Sequence, residues 1–215
     1  MATSSIAHKN HKYYSTAFGL ALFTIFYNVV EGLISTYFGV QDESLALFGF
    51  GADSFIEVIS GLGIAHMVLR IQKNPESPRD SFERTALRIT GFAFYGLVIT
   101  LVTTGLYNIW TGHKPVTTLV GIVISAISIG VMWGLVYWKR VVGAKLESEP
   151  ILADANCTLV CVYMSIILLF SSGIFELTGF RYIDSIGSLA LAYFAFKEGR
   201  ECFEKANSEK YCGCD

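Results

Sequence analysis

Two pairs of side chains have the types and the spacing of a metal site: Asp53 with Glu57, and Cys157 with Cys161. The members of each pair are four residues apart within a long apolar segment, so on a helix both lie on one face. Two acids inside a membrane are costly unless a cation meets them. Two thiols are ligands that a soft divalent metal prefers. The four residues therefore predict one metal site inside a membrane.

The composition is typical of a protein that crosses the membrane several times. Of its 215 residues, 53% are hydrophobic and 16% are charged, whereas a soluble domain carries about 25% charged residues. We predict an all-α membrane protein, a bundle of six transmembrane helices, because six apolar segments are long enough to cross a bilayer. They lie at about 13–38, 45–70, 84–110, 116–138, 150–175 and 183–200. The polar, basic opening stretch and the long first segment argue against a removable signal peptide.

The basic residues predict the orientation. With the N-terminus in the cytoplasm, 14 of the 16 Lys and Arg residues fall in cytoplasmic segments, and only Lys114 and Arg181 fall in outer loops. Basic loops stay on the cytoplasmic side, so we expect both termini there, in a plasma or inner membrane. Residues 1–12 then form a cytoplasmic segment, 13–201 the transmembrane domain and 202–215 a short Cys-containing cytoplasmic tail.

No cysteine is predicted to face the oxidising side of the membrane, so we expect free thiols. Cys157 and Cys161 lie inside a span, and Cys202, Cys212 and Cys214 lie in the predicted tail. Cys212 and Cys214 form a C-x-C pair that could capture metal before it enters the bundle, although two thiols alone make a weak site.

The depths of the two pairs agree. Asp53 lies about 14 Å into span two from the outer side, and the cysteines lie about 10–17 Å into span five from the cytoplasmic side. In a hydrocarbon core of about 30 Å these depths coincide. Two carboxylates and two thiolates complete the tetrahedron that Zn²⁺ prefers. The thiolates favour Zn²⁺ and Cd²⁺ over Mg²⁺ and Mn²⁺.

Each pair also has an alternative interpretation. Two cysteines four residues apart on a packed helix are often packing residues only. The acids could form a proton relay or bind a basic partner. No Lys or Arg is predicted at the depth of the pairs, and this disfavours the basic partner.

Several motifs, in order along the chain, carry a family resemblance. They are Asn28-Val-Val-Glu31-Gly, Glu43-Ser-Leu-Ala-Leu47, Asp53-Ser-Phe-Ile-Glu57, Ala153-Asp154-Ala-Asn-Cys157-Thr-Leu-Val-Cys161 and Asp184-Ser-Ile-Gly187. The first three resemble helices one and two of the cation diffusion facilitators. The fourth looks like the fifth-helix pattern Ala-Asp-x-x-His-x-x-x-Asp of that family, and the last resembles the start of its sixth helix. The resemblance covers about 13–201.

The resemblance implies a secondary transporter, not an enzyme. It implies a proton-coupled antiporter that exports Zn²⁺ or Cd²⁺ in exchange for H⁺, with a midplane site between helices 2 and 5. It also implies a homodimer in the lipid bilayer, with metal ions and no nucleic acid as partners. Asn28 and Glu31 would line the inner cavity or brace helix two. Asp154, nearer the cytoplasmic mouth, would be an entry group or a support for the ligands.

The chain departs from the family pattern in three ways. Cys157 and Cys161 stand where the family usually has His and Asp, and Glu57 stands where it usually has Asp. We expect no cytoplasmic metal-binding domain after helix six, where the family typically has one, and therefore a member with the transmembrane domain alone. These departures leave two other functions open. One is a non-transporting membrane metal sensor or adaptor, and the other is a proton or small-solute channel.

Overall fold

The part of the chain that the structure describes forms six helices, as the sequence predicts. The structure, a computed structural model, describes residues 2–74 and 81–207, with only the backbone described at 2–11 and 149–150. The helices are α1 (Ala2–Gln41), α2 (Leu45–Lys73), α3 (Ser81–Thr111), α4 (Leu119–Leu146), α5 (Glu149–Thr178) and α6 (Ile183–Asn207). In the described ranges, α1 to α5 are long and apolar enough to cross a membrane, and α6 is more polar.

The helices extend beyond the apolar segments that predict them. Helix α4 continues to Leu146 and α6 to Asn207, past the expected ends at 138 and 200. Hydropathy marks only the apolar part of a helix, whereas Lys, Glu and Ala, which are good helix formers, continue it into a polar environment. Cys202, expected in the tail, is therefore a buried residue of α6.

The helices pack most closely in three pairs: α1 with α2, α3 with α6, and α4 with α5. Small residues allow the close approach of α1 and α2. A Cβ atom at Gly51 would lie 2.6 Å from the backbone nitrogen of Thr36, and one at Gly39 would lie 2.5 Å from that of Phe48. Only glycine fits at these two positions, so the backbones of α1 and α2 are in direct contact.

At one end of the bundle, carboxylates bind the first residues of neighbouring helices. Asp184 of α6 accepts hydrogen bonds from the Ser44 hydroxyl (2.6 Å) and the Leu45 N–H (2.8 Å), which caps α2. Glu176 of α5 accepts hydrogen bonds from the Thr117 hydroxyl (2.7 Å) and the Thr118 N–H at the start of α4. We call this the capped end.

The opposite end is where α2, α4 and α6 end and α3 and α5 begin. It carries Lys73, Lys145 and Lys205 in the last turns of those three helices, and we call it the basic end. Between the capped end and the middle of the bundle lies an apolar layer of side chains, each at most 2% exposed. The layer consists of Leu47, Phe50, Leu101, Met164, Leu168 and Leu191.

The contact between α1 and α2 predicts a stability difference between two glycine substitutions. Gly51→Ala places a methyl group against the α1 backbone and should lower the free energy of unfolding by about 1–3 kcal/mol. Gly96→Ala is the matched control, because nothing lies within 4 Å of its added Cβ atom. It should be neutral or stabilise α3 by up to about 1 kcal/mol. Thermal unfolding in detergent measures both, and equal stability of the two variants would contradict the packing.

Candidate functional site

A cavity of about 100 Å³ lies among the six helices and reaches toward the basic end. Its wall includes Met67, Glu83 and Lys205, which lie near helix ends. Deeper in the bundle it includes Glu57 and Cys161, two of the four predicted ligands. The apolar layer separates this region from the capped end. The cavity therefore gives access to the predicted site from one end of the bundle only.

Glu57 joins three helices within the cavity wall. The thiol of Cys161 on α5 donates a hydrogen bond to Glu57 Oε1. The Asn28 amide of α1 donates to Glu57 Oε2 at 2.8 Å. A carboxylate of α2 thus has a donor from α1 on one oxygen and a donor from α5 on the other. The Glu57–Cys161 contact brings one member of each predicted pair together.

Asp53 lies one turn from Glu57, on the side of the apolar layer. Its side chain is 2% exposed, and Oδ1 has no hydrogen-bond partner among the described residues. It interacts electrostatically with Glu57, Glu198 and Glu31. A buried carboxylate oxygen without a donor is costly, and the acidic surroundings add to that cost. Both costs fall when a cation binds.

Cys157 also lines the cavity, one turn nearer the basic end than Cys161. Its sulfur accepts a hydrogen bond from Lys205 Nζ of α6 at 3.1 Å. The same ammonium group lies 3.1 Å from Glu201 Oε2. The expectation that no basic side chain reaches the predicted pairs is therefore wrong for Cys157. Lys205 reaches Cys157 because α6 extends past the predicted end of its span and carries this lysine alongside the cavity.

Asn28 and Glu31 both brace α2. Asn28 lines the cavity and binds Glu57, as described above. Glu31 accepts hydrogen bonds from the Tyr27 hydroxyl at 2.9 Å and from the Ser54 hydroxyl of α2 at 3.0 Å. Because Ser54 follows Asp53 directly, Glu31 helps to fix the turn of α2 that carries the predicted ligands.

Asp154 forms part of the cavity wall and already has a cationic partner. Its carboxylate lies 2.9 Å from Lys139 Nζ of α4, and Lys139 also donates to the Thr158 hydroxyl at 2.9 Å. The Lys139 side chain is 3% exposed. The ion pair balances the charge of Asp154, so Asp154 supports the wall that carries Cys157 and Cys161.

Three of the four predicted ligands, Glu57, Cys157 and Cys161, line the cavity, whereas Asp53 is buried outside its wall. The four do not form a closed coordination shell. Within residues 2–74 and 81–207, no group of three or more His, Cys, Asp or Glu side chains is gathered closely enough to hold one ion. Glu57 and Cys161 are in direct contact, whereas Asp53 and Cys157 lie one turn to either side. The four-ligand site therefore stays a prediction. Cys212 and Cys214 lie outside the described residues.

Comparison with known families agrees with this architecture. Residues 20–209 match the family model described as the cation efflux transmembrane domain. The chain belongs to the cation efflux family. Members of this family transport metal cations and are not enzymes. A comparison with curated proteins gives no match. The matched range covers the cavity from α1 to α6, so the cavity belongs to the cation efflux domain.

The sequence did not indicate five ionisable side chains in the cavity wall of this cation efflux domain: Glu83, Lys139, Glu198, Cys202 and Lys205. Glu198 and Cys202 have the same spacing of four residues as the two predicted pairs. This spacing is visible in the sequence, but the last predicted span ends at 200, between the two residues.

The hydrogen bond from Asn28 predicts a loss of cation affinity when its amide is removed. Asn28→Ala leaves one oxygen of Glu57 without a donor. Loss of a group that supports a ligand typically weakens metal affinity by about 10–100-fold, and we expect the lower part of that range for Cd²⁺. Isothermal titration of the detergent-solubilised chain measures the affinity.

Thr24→Val provides the control for this prediction. Thr24 lines the same cavity, but its hydroxyl binds the Leu20 carbonyl of its own helix at 2.9 Å. Its removal should leave the affinity for Cd²⁺ unchanged. Equal affinities of Asn28→Ala and the unmodified protein would show that the amide does not support the site.

Proposed function

We propose that this protein is a proton-coupled antiporter that exports a soft or borderline divalent cation, Zn²⁺ or Cd²⁺. The contact between the Glu57 carboxylate and the Cys161 thiol is the observation that carries the proposal. It joins α2 and α5 inside a cavity. It involves one residue from each of the two pairs, Asp53 with Glu57 and Cys157 with Cys161, for which the family resemblance implies a midplane site. Metal cation transport is the activity of the family as a whole.

The ligand chemistry supports the choice of cation. Asp53 and Glu57 offer oxygen ligands, and Cys157 and Cys161 offer sulfur. Thiolates favour Zn²⁺ and Cd²⁺ over the hard ions Mg²⁺ and Mn²⁺. A shift of α5 along α2 by one helical turn, about 6 Å, would bring both pairs to one level around a single ion. We take the four residues as the transport site.

The Glu57–Cys161 contact also supports coupling to protons. In this hydrogen bond the thiol of Cys161 retains its proton. Thiols have an unperturbed pKa of about 8.5 and must ionise to bind a metal, so metal binding releases protons. Protons that return from the other side of the membrane would displace the ion. The same two groups thus bind either a proton or the metal.

The two ends of the bundle support alternating access. The cavity reaches the basic end, and the apolar layer closes the capped end. Transport would require the layer to open and the cavity to close around a fixed site. The positive-inside rule favours a cytoplasmic position for the basic end and for both termini. Cytoplasmic entry gives efflux. The family resemblance favours a homodimer, and a plasma or inner membrane is the simplest location.

Removal of the Cys157 and Cys161 thiols should strongly reduce Cd²⁺ transport. In proteoliposomes that contain a pH dye, the unmodified protein should exchange Cd²⁺ for protons. Cys157→Ser/Cys161→Ser should lower the Cd²⁺ flux at least about tenfold, because hydroxyl oxygen is a poor ligand for a soft ion. Cys212→Ser/Cys214→Ser is the matched control and should keep its flux at saturating Cd²⁺.

Three other outcomes of this flux assay would change the proposal. Unchanged flux in the double Cys157/Cys161 variant would show that these thiols are not ligands. Binding of Cd²⁺ without flux would favour the membrane sensor or adaptor. Proton flux that does not depend on Cd²⁺ would favour the channel.

Direct proton release tests the coupling separately. Cd²⁺ added to the protein in weak buffer should acidify the solution, and the affinity for Cd²⁺ should rise with pH because fewer protons then compete for the ligands. Cys161→Ser should release about one proton fewer per ion than the unmodified protein, since serine does not ionise in this range. Binding without any change in pH would exclude exchange at these groups.

A further inference from the structure

The face of α6 that lines the cavity carries two ligand-type side chains outside the predicted site. Glu198 and Cys202 are four residues apart, both are buried, and both line the cavity that holds Glu57 and Cys157. The sixth helix thus repeats the pattern of α2 and α5, with one carboxylate and one thiol on a single face.

The capped end fixes the level of these side chains. Asp184 binds Ser44 and Leu45, so α2 and α6 begin at the same height. Glu57 follows Ser44 by 13 residues and Glu198 follows Asp184 by 14, which places both carboxylates about 20 Å from the capped end. Cys202 lies one turn nearer the basic end.

One oxygen of Glu198 lacks a partner. The side chain is 8% exposed, and its Oε1 is buried without a hydrogen bond to any of the described residues. Glu198 interacts electrostatically with Cys157, Cys202 and Lys205. An unsatisfied carboxylate oxygen beside a cavity costs free energy that a bound cation would recover.

A cationic group of the protein already lies beside this cluster. Lys205 Nζ is 3.1 Å from the sulfur of Cys157 and 3.1 Å from Glu201 Oε2, and its side chain is 14% exposed. A largely buried ammonium at this point indicates that the potential around Cys157 favours positive charge. A mobile cation that entered from the basic end would compete with Lys205 for the sulfur.

We propose that Glu198, Cys202 and Cys157 form a second cation station beside Glu57, on the side of the basic end, which the ammonium group of Lys205 occupies when no ion is bound. The three side chains do not form a closed shell in the structure, so they would close around the entering ion. The Cys157 thiolate would bridge this ion and the ion at Glu57. Two sulfur ligands and one carboxylate fit a soft divalent ion, Cd²⁺ or Zn²⁺. On binding, the ion displaces Lys205 toward Glu201 and the solvent. The inference rests on the proposed function, since the station would hold the ion that the site at Glu57 transports.

The charge of Lys205 sets the affinity of the station. Its ammonium group opposes a divalent ion at Cys157, so the station binds weakly and releases the ion again. Replacement of Lys205 by an uncharged residue should therefore tighten binding at the station. Replacement by arginine keeps the charge and should keep the affinity near that of the unmodified chain.

Isothermal titration with Cd²⁺, together with the ultraviolet absorption of Cd–thiolate bonds, tests the station. The experiment uses the full chain with Cys212→Ser/Cys214→Ser, so that the C-x-C pair cannot contribute. We expect two Cd²⁺ ions per chain. Glu198→Gln/Cys202→Ser, whose side chains keep nearly the same size, should bind one ion and keep the Glu57-dependent one. Glu57→Gln should lose the Glu57-dependent ion and keep the ion at the station.

The Lys205 variants test the competing charge. Lys205→Met should tighten the weaker of the two Cd²⁺ sites about tenfold or more, since it removes a like charge a few ångströms from the ion. Lys205→Arg should retain the original affinity. Lys145→Met, which removes an exposed lysine of α4 near the same end, should leave both sites unchanged.

The results separate this inference from the proposed function. A stoichiometry of one, or two ions that persist in Glu198→Gln/Cys202→Ser, overturns the station while Cd²⁺ flux through Glu57 still stands. Equal affinity of Lys205→Met and Lys205→Arg overturns the role of Lys205. Absence of both Cd²⁺ binding and Cd²⁺ flux in the unmodified chain overturns the station together with the transporter.

Discussion

A carboxylate buried in the middle of a membrane bundle must find donors within the protein, and Glu57 meets this requirement with one donor from α1 and one from α5. The amide of Asn28 and the thiol of Cys161 fix the rotation of three helices about their axes. Glu31 adds a further bond from α1 to Ser54 of α2. The polar contacts that hold the helices in register are therefore the contacts that surround the candidate site, and stability and function depend on the same few atoms.

The sequence predicted the parts of this arrangement that depend on local pattern. Runs of apolar residues predicted six helices, and the spacing of Asp53 with Glu57 placed both acids on one face. The partners across helices could not be predicted, because they depend on how the helices rotate and how far they extend. Lys205 is the clearest case. It lies beyond the end of the predicted span at 200, yet the helix continues and the long side chain of Lys205 reaches Cys157.

The polar composition of the last turns of α6 likewise prevented their prediction from hydropathy. Glu198 and Cys202 lie among Lys197, Arg200 and Glu201. Hydropathy therefore predicts the end of the span at the residues whose side chains line the cavity. The charged residues around them face outward or toward the basic end, and the two buried ones face inward. Only the packing of α6 against α2, α3 and α5 distinguishes these groups.

The cap that Asp184 forms on α2 constrains how the two helices can separate. Three hydrogen bonds, from Ser44, Leu45 and Ala46, converge on one carboxylate and join the first turns of α2 and α6. A rotation of one helix against the other about this joint would leave the cap almost undisturbed. The displacement would grow with distance from the joint, so Glu57 and Glu198 would separate much further than the capped residues. A few hydrogen bonds that stay formed would thus allow the distance between the two carboxylates to change at little cost.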